Sequence, residues 1–424
     1  MNSVYLAFLD NSNLHYFGDC SIVIRDTEKY MLDDIETYIV EKINGEKTID
    51  DIAKEIDTEL EIGNFADVRE KIFQFINSKK EFICTNTVPI HSEMYVTGSK
   101  KIKMPYNLIF SLTNKCHHKC IHCYKESSNE KEEHISKERI LKTLNFLKGN
   151  LNSIQLTGGE PMLHDDFYEI LDFCKENFKT TITTTGTLIN SENAHRFKGL
   201  KNIQIPLYSA NEEEHDRFTR TKGSFRKAIR AIEELIKNDI YPSIGSILAK
   251  NSVKEAEDLI NLCIRLNIKR IRFGYLFPLE RARNTNNVEL LSEKEILKIL
   301  NSLKIKYRDK INVDCDKEED YNPKFNINQE SVQPYSNSKC LLCGGGTFSL
   351  AISGNGNVKP CEIIPDDVFS MGNIINEDIE EIITNEKFEN LPICMKKWQS
   401  ELQNEGNDIE SVCAQLKNYC LKYT

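Results

Sequence analysis

The chain has 424 residues, room for two or three domains at roughly 150 residues each. Its 55 Lys+Arg against 65 Asp+Glu leave a formal net charge of −10 at pH 7, so a nucleic acid would meet repulsion rather than release counterions. No run approaches the roughly 18 apolar residues of a membrane span, and the N-terminus lacks a basic start followed by an apolar core. The expectation is a cytoplasmic protein with neither a nucleic-acid nor a membrane partner.

Residues 1–83 read as short strands followed by helices. Leu14 to Gly18 and Ser21 to Asp26 carry strand-like residues. Ile35, Ile39, Val40 and Ile43 mark one face of a first helix, stopped by Gly45. Thr48 caps a second, with Asp51 at the capping-box position, and Phe65 to Lys80 form a third. The polar stretch from Thr85 to Lys103 has no sustained period and reads as the first domain boundary, so the domains are set at 1–90, 104–310 and 311–424.

From about 105 to 310 strand and helix alternate. NLIFSL, SIQLTG, TTITTT, IQIPLY, SIGSILA and IRFGYLF behave as six buried strands. Amphipathic stretches lie between them, among them SENAHRFKG and SFRKAIRAIEELIKN. Repeated βα units imply a parallel sheet with right-handed crossovers, either open and doubly wound or a partial barrel. Either way the reactive end is the C-terminal edge of the strands. After Asp314 the chain turns irregular, then cysteine-rich.

Fourteen cysteines are many for a reducing compartment, where clustered thiols point to metal or catalysis. Cys20, Cys84, Cys174 and Cys263 are singletons and read as small buried hydrophobes. The dense group is Cys116, Cys120 and Cys123, directly after the first of the six strands. Three thiolates so spaced can hold three irons of a [4Fe–4S] cube and leave the fourth open. His117, His118 and His122 keep zinc as an alternative. The second strand ends in Thr157, Gly158, Gly159, Glu160 and Pro161. Its glycines let backbone approach a ligand closely, and the carboxylate can accept a hydrogen bond from an amine.

Cys-x3-Cys-x2-Cys after the first strand and Gly-Gly-Glu-Pro after the second resemble the radical S-adenosylmethionine (SAM) enzymes, over about 105–285. The likeness extends to TTTGTLIN, to IPLYSA with HDRFTRTKGSF, and to PLERAR, where Glu280 replaces the glycine of the Pro-x-Gly-Arg-Ala segment. It implies an α/β fold with a partial (β/α)6 TIM barrel. Cys116, Cys120 and Cys123 would bind the cluster whose open iron chelates SAM. Gly158, Gly159 and Glu160 would meet the SAM amino group, and His122 would pack near the adenine. Ser209 would meet the ribose or carboxylate, and Thr185 is a further cofactor-binding candidate.

Cys343, then Gly356 to Cys361, then Met371 to Ile374 resemble the start of SPASM/Twitch extensions, which carry auxiliary Fe–S clusters. Cys343 and Cys361 are the ligands this implies first, with Cys340, Cys394, Cys413 and Cys420 as candidates for the remaining positions. A small zinc ribbon is the alternative. MLDDIETYIVEKINGEKTIDDIAKEI resembles the PqqD-like winged helix-turn-helix module, the peptide-recognition element of enzymes that mature ribosomally made peptides. An extended leader peptide would add to its sheet by β-augmentation. The domain order resembles the sactisynthases, which join a Cys sulfur to an α-carbon. It implies a precursor-peptide maturase using a 5′-deoxyadenosyl radical, with an electron donor such as flavodoxin or ferredoxin. The runners-up are another peptide modification (a Cβ thioether, a carbon–carbon crosslink or decarboxylation) and a non-enzymatic zinc- or peptide-binding protein. No catalytic acid or base is assigned.

Overall fold

The computed structural model describes residues 4–315 and 345–390, apart from positions 19, 27, 132–133, 249–252, 275, 277–280, 283–292, 347 and 367–368. The described chain divides into two compact units between Tyr106 and Asn107. None of its helices is long and apolar enough to cross a membrane.

The first unit begins with β1 (Tyr5–Phe8), β2 (Ser12–Phe17), β3 (Cys20–Arg25) and β4 (Glu28–Leu32). Strands β2, β3 and β4 run antiparallel, turning at Gly18 and Asp26, residue types that tolerate the positive φ found there. Helices α1 (Asp34–Lys42), α2 (Ile49–Glu59) and α3 (Phe65–Ser78) follow. Thr48 and Asp51 form the expected capping box, and Asp33 with Glu36 forms another. Of the first helix's apolar stripe, Ile39, Val40 and Ile43 are buried. Ile35, in the first turn, instead stands 70% exposed.

Two further strands lie in the stretch read as a boundary. β5 (Ile83–Asn86) pairs with β1, and β6 (Tyr95–Ser99) runs parallel to β2, giving a four-stranded sheet in the order β4-β3-β2-β6. Gly98 makes this pairing possible. Its φ is +80°, and a Cβ there would stand 2.0 Å from the Tyr16 carbonyl oxygen. The unit's core gathers Leu6, Val23, Leu32, Ile52, Ile72 and Phe82.

The second unit is built on β7 (Asn107–Ser111), β8 (Ser153–Thr157), β9 (Lys179–Thr183), β10 (Asn202–Pro206), β11 (Ser243–Ile247) and β12 (Arg270–Gly274). These are the six strands the apolar runs indicate, all parallel and in chain order. The connecting helices are α4 (Lys137–Leu147), α5 (Phe167–Asn177), α6 (Glu212–Thr219), α7 (Ser224–Lys237), α8 (Val253–Arg265) and α9 (Glu293–Tyr307). SENAHRFKG yields only a four-residue 3-10 turn at Ala194–Phe197, since a segment that short cannot meet the cost of helix nucleation. Helix α6 runs into the HDRFTRTKGSF region and is started by Asn211, whose side chain accepts from the Glu213 and Glu214 amides.

Successive residues point to opposite faces of a strand. One face supplies Phe110, Ile154, Ile182, Ile205 and Ile271, all essentially buried, while the other carries half-buried Gln155, Thr183, Gln204 and Arg272. The sheet also continues past the expected core boundary. β13 (Asn312–Cys315) pairs with β12, and β14 (Ser349–Ile352) runs parallel to β7. β15 (Asn357–Lys359) and β16 (Gly372–Asn373) then extend the edge antiparallel, ahead of a short helix α10 (Ile379–Ile383). Ten strands thus share one open order from β13 to β16, and the residues after 310 build onto the same sheet as the six.

Candidate active site at the C-terminal edge of the sheet

The loop of three cysteines leaves β7 and is held from both sides. The Cys116 amide donates to Ser128 O at 3.0 Å, while Lys119 and Ile121 donate to Thr219 O and Phe218 O at 3.1 and 3.0 Å, at the end of α6. Arg281 adds a cationic clamp through bonds to Cys120 O at 3.1 Å and Ser127 O at 2.8 Å. Burial pushes the Cys116 thiol up to about 12 and raises Cys120 further. The neighbouring thiols add to this, and Arg281 opposes it. Thiols placed so give up their protons when a metal takes the proton's place.

The Gly-Gly-Glu turn after β8 packs directly under this loop. Gly159 donates to Thr113 O at 2.8 Å and Glu160 to Lys115 O at 2.9 Å. A Cβ on Gly158 would lie 2.5 Å from Thr113 O, and one on Gly159 would lie 2.3 Å from Lys115 O, so only glycine fits at either position. Glu160 is fully buried, and its carboxylate already accepts four bonds. They come from the Met162 amide (3.1 Å), the Thr184 hydroxyl (2.7 Å), and the Thr185 amide (2.7 Å) and hydroxyl (2.6 Å). This fills the acceptor capacity of a carboxylate, so an incoming amine has to replace one of these donors. The Thr185 hydroxyl, on a half-buried residue after β9, is one of these donors.

His122 lies against an aromatic cluster. Its Nε2 is 3.0 Å from the Tyr208 hydroxyl, and its ring stacks on Phe218 at 4.8 Å. Its Nδ1 is buried with no protein partner, as expected of an atom that a bound ligand satisfies. Burial pulls the ring down to about 3, with Arg281 adding to the effect, so it stays neutral. Ser209, after β10, is buried, and its hydroxyl oxygen accepts from the Asn211 amide at 3.0 Å. The other two histidines of the loop face threonines: His117 Nε2 lies 3.2 Å from Thr185 Oγ1, and His118 Nε2 lies 3.3 Å from Thr187 Oγ1. Among the described residues no three His, Cys, Asp or Glu side chains converge on one ion position. A cube makes a different demand, one thiolate on each of three irons.

Cys116, Cys120, Cys123, Gly158, Gly159, Glu160, Thr185, His122 and Ser209 therefore share one edge of the sheet. Cys361 reaches the same edge, through Glu362 beside it, which accepts from Ser111 at the end of β7. Cys340, Cys343, Cys394, Cys413 and Cys420 lie outside the described residues. Of the four singletons, Cys174 and Cys263 are buried as expected, while Cys20 and Cys84 are half-buried. Arg281 falls in the PLERAR segment, whereas Lys125 and Glu362 carry no motif that marks their place here.

Residues 110–263 match the Radical SAM superfamily, and residues 343–415 match the SPASM iron-sulfur cluster-binding domain. The chain thus carries a radical SAM domain followed by a SPASM domain. Its cofactors are a [4Fe–4S] cluster, SAM and an auxiliary Fe–S cluster. Among characterised proteins it is similar to the antilisterial bacteriocin subtilosin biosynthesis protein AlbA of Bacillus subtilis. The two are 28% identical over 420 residues, 96% of this chain and 87% of AlbA. It is also similar to a probable GTP 3′,8-cyclase of Sulfurisphaera tokodaii, 26% identical over 64% of this chain and 86% of the cyclase. In fold it resembles Streptococcus suis SuiB bound to S-adenosylmethionine, with a TM-score of 0.61 at 17% identity, covering 91% of this chain and 89% of SuiB.

Proposed function

We propose that this protein is a radical SAM maturase of a ribosomally made precursor peptide, forming thioether crosslinks from a Cys sulfur to an α-carbon. The observation that carries the reading is the similarity to AlbA along 96% of the chain, which takes in the N-terminal unit as well as both cysteine regions. The similarity to the cyclase covers only 64% of the chain.

In this reading Cys116, Cys120 and Cys123 hold the first cluster. Gly158, Gly159, Glu160 and Thr185 would hold the SAM amine, Ser209 its ribose or carboxylate and His122 its adenine. When bound, the cluster and SAM would supply the 5′-deoxyadenosyl radical chemistry that removes a hydrogen atom from the peptide α-carbon, while the cysteine sulfur would release its proton and the auxiliary cluster would take up the surplus electron. Glu160 keeps the Thr184–Thr185 segment in register under the ligand, and the His122–Tyr208–Phe218 cluster offers an apolar wall that excludes water. Cys343 and Cys361, with partners among Cys340, Cys394, Cys413 and Cys420, hold the auxiliary cluster.

The N-terminal unit is the PqqD-like reader of the leader. The β4 edge of its sheet is where an extended peptide would add a strand, with main-chain bonds providing the affinity. A flavodoxin or ferredoxin supplies the electrons, and the thiol-rich chain works in the reducing cytoplasm.

The test is anaerobic reconstitution with iron and sulfide, followed by incubation with SAM, a reductant and a short cysteine-containing peptide sought among the reading frames beside the gene. The expected product has lost two hydrogens per crosslink and fragments with the sulfur attached at an α-carbon. A product with carbon–carbon or Cβ linkage replaces the thioether reading. Failure of the native protein to form 5′-deoxyadenosine overturns the enzyme reading altogether.

A further inference from the structure

Cys361 is followed by a carboxylate that reaches back to the first-cluster loop. Ser111 donates to Glu362 Oε1 at 2.7 Å, and Lys125, two residues after Cys123, forms an ion pair with the same oxygen. The Lys125 ammonium also donates to Ser111 Oγ at 2.8 Å and Gly158 O at 3.4 Å, so its three hydrogens are spent on three different segments. The Tyr124 phenol is a further hydrogen-bonding neighbour of Glu362. The two charged side chains are only 15% and 12% exposed, which separates this pair from surface ion pairs of little consequence.

The surroundings of Cys361 are braced from other directions too. Lys359, itself buried, donates to Ile364 O at 2.6 Å and pairs with Asp366 at 2.7 Å. At the β14–β15 turn a Cβ on Gly354 would lie 2.5 Å from the Thr113 carbonyl carbon, so this turn abuts the start of the cysteine loop. Backbone pairing of β14 with β7 ends at Ile352↔Phe110. Beyond it, Glu362 carries the connection between the two cysteine-bearing segments through side chains.

We propose that Lys125 and Glu362 are a positioning pair that fixes the auxiliary-cluster ligand Cys361 against the loop of the first cluster. The inference rests on the reading of Cys361 as an auxiliary ligand. Residues that orient metal ligands from behind affect metal retention almost as strongly as the ligands do. Removing one member leaves the other as an unpaired, largely buried charge, whereas removing both does not.

The experiment uses the full-length, anaerobically reconstituted protein with Lys125→Met, Glu362→Gln and the double variant, and Cys361→Ala as reference. It reads the electron paramagnetic resonance (EPR) spectrum of the reduced protein, iron release to a chelator, and 5′-deoxyadenosine formation. Each single variant is expected to alter the auxiliary signal and to release that share of the iron roughly tenfold faster. The double variant is expected to lose no more than the worse single one, because coupled residues are not additive. Native release and spectrum in both single variants, or additive losses in the double variant, overturn the proposal. An intact auxiliary signal in Cys361→Ala overturns it through the ligand assignment. Absence of 5′-deoxyadenosine from the native protein marks a failure of the enzyme reading instead.

Discussion

The His122 ring lies 4.8 Å from that of Phe218, only 30° from parallel. One belongs to the cysteine loop and the other to α6, so the stack joins the first and fourth βα connections over the site. Aromatic pairs of this kind contribute about 0.5–1.5 kcal/mol beyond their burial. Phe218→Ala is expected to leave the first cluster's iron in place and weaken SAM binding about tenfold, the equivalent of 1.4 kcal/mol. Equilibrium dialysis with labelled SAM, beside an iron assay, separates the two effects.

Gly159→Ala tests the seating of the cysteine loop. The added methyl meets the Lys115 carbonyl, which is backbone and cannot swing aside. The variant should lose about 3 kcal/mol or more of stability and fail to retain the first cluster. Gly149→Ala is the control. Its φ is +80° but nothing lies within 4 Å of the new Cβ, so it should cost only the 1–2 kcal/mol of left-handed strain. Thermal unfolding with iron counting distinguishes the pair.

His15 gives the N-terminal unit a pH dependence. The buried ring lies between the Thr97 hydroxyl and Met104 O, each 2.9 Å away, and burial lowers it from 6.5 to about 4. Above pH 6.5 it is neutral whether the unit is folded or not, and adds no slope. Between 6.5 and about 4 the unfolded chain binds a proton that the folded one refuses, so stability falls as the pH drops through this window. The loss is at most about 3 kcal/mol at 1.36 kcal/mol per unit. Hydrogen exchange of the β2 amides across that range should follow it, and His15→Gln should flatten the profile.

Truncation should be sensitive to its endpoint. A cut after residue 83 strands most of β5 and all of β6, which belong to the sheets of the removed unit. A cut after residue 103 removes the unit's strands and helices together. The longer deletion is expected to keep uncoupled SAM cleavage and lose leader affinity. The shorter one should aggregate, because β6 then presents unpaired backbone together with exposed Tyr95 and Val96. Size-exclusion chromatography and titration with labelled leader report the two outcomes.

Where the sequence was legible, local pattern carried the information. The apolar runs of the six strands and the Thr48–Asp51 box need no knowledge of distant contacts. β6 was hidden because Tyr95-Val-Thr-Gly-Ser buries only Thr97 thoroughly, and its Gly98 resembles a loop residue until Tyr16 is seen beside it. The site divides in the same way. Cysteine spacing and Gly-Gly-Glu can be read directly, whereas the fourfold satisfaction of Glu160 depends partly on Thr184 and Thr185, more than twenty residues on. Lys125 and Glu362 are separated by 237 positions, and no local period links them.

β14 lies beside β7 although Ser349 comes 238 residues after Ser111 (349 − 111). On the ribosome, at roughly 5–20 residues per second, that interval lasts on the order of ten to fifty seconds. Throughout it the strand that launches the cysteine loop has β8 on one side and an unfilled edge on the other. The nascent chain therefore carries its three thiols on a half-built support, open to oxidation and to stray strands. The support beneath that loop is accordingly complete only once β14 has returned to β7.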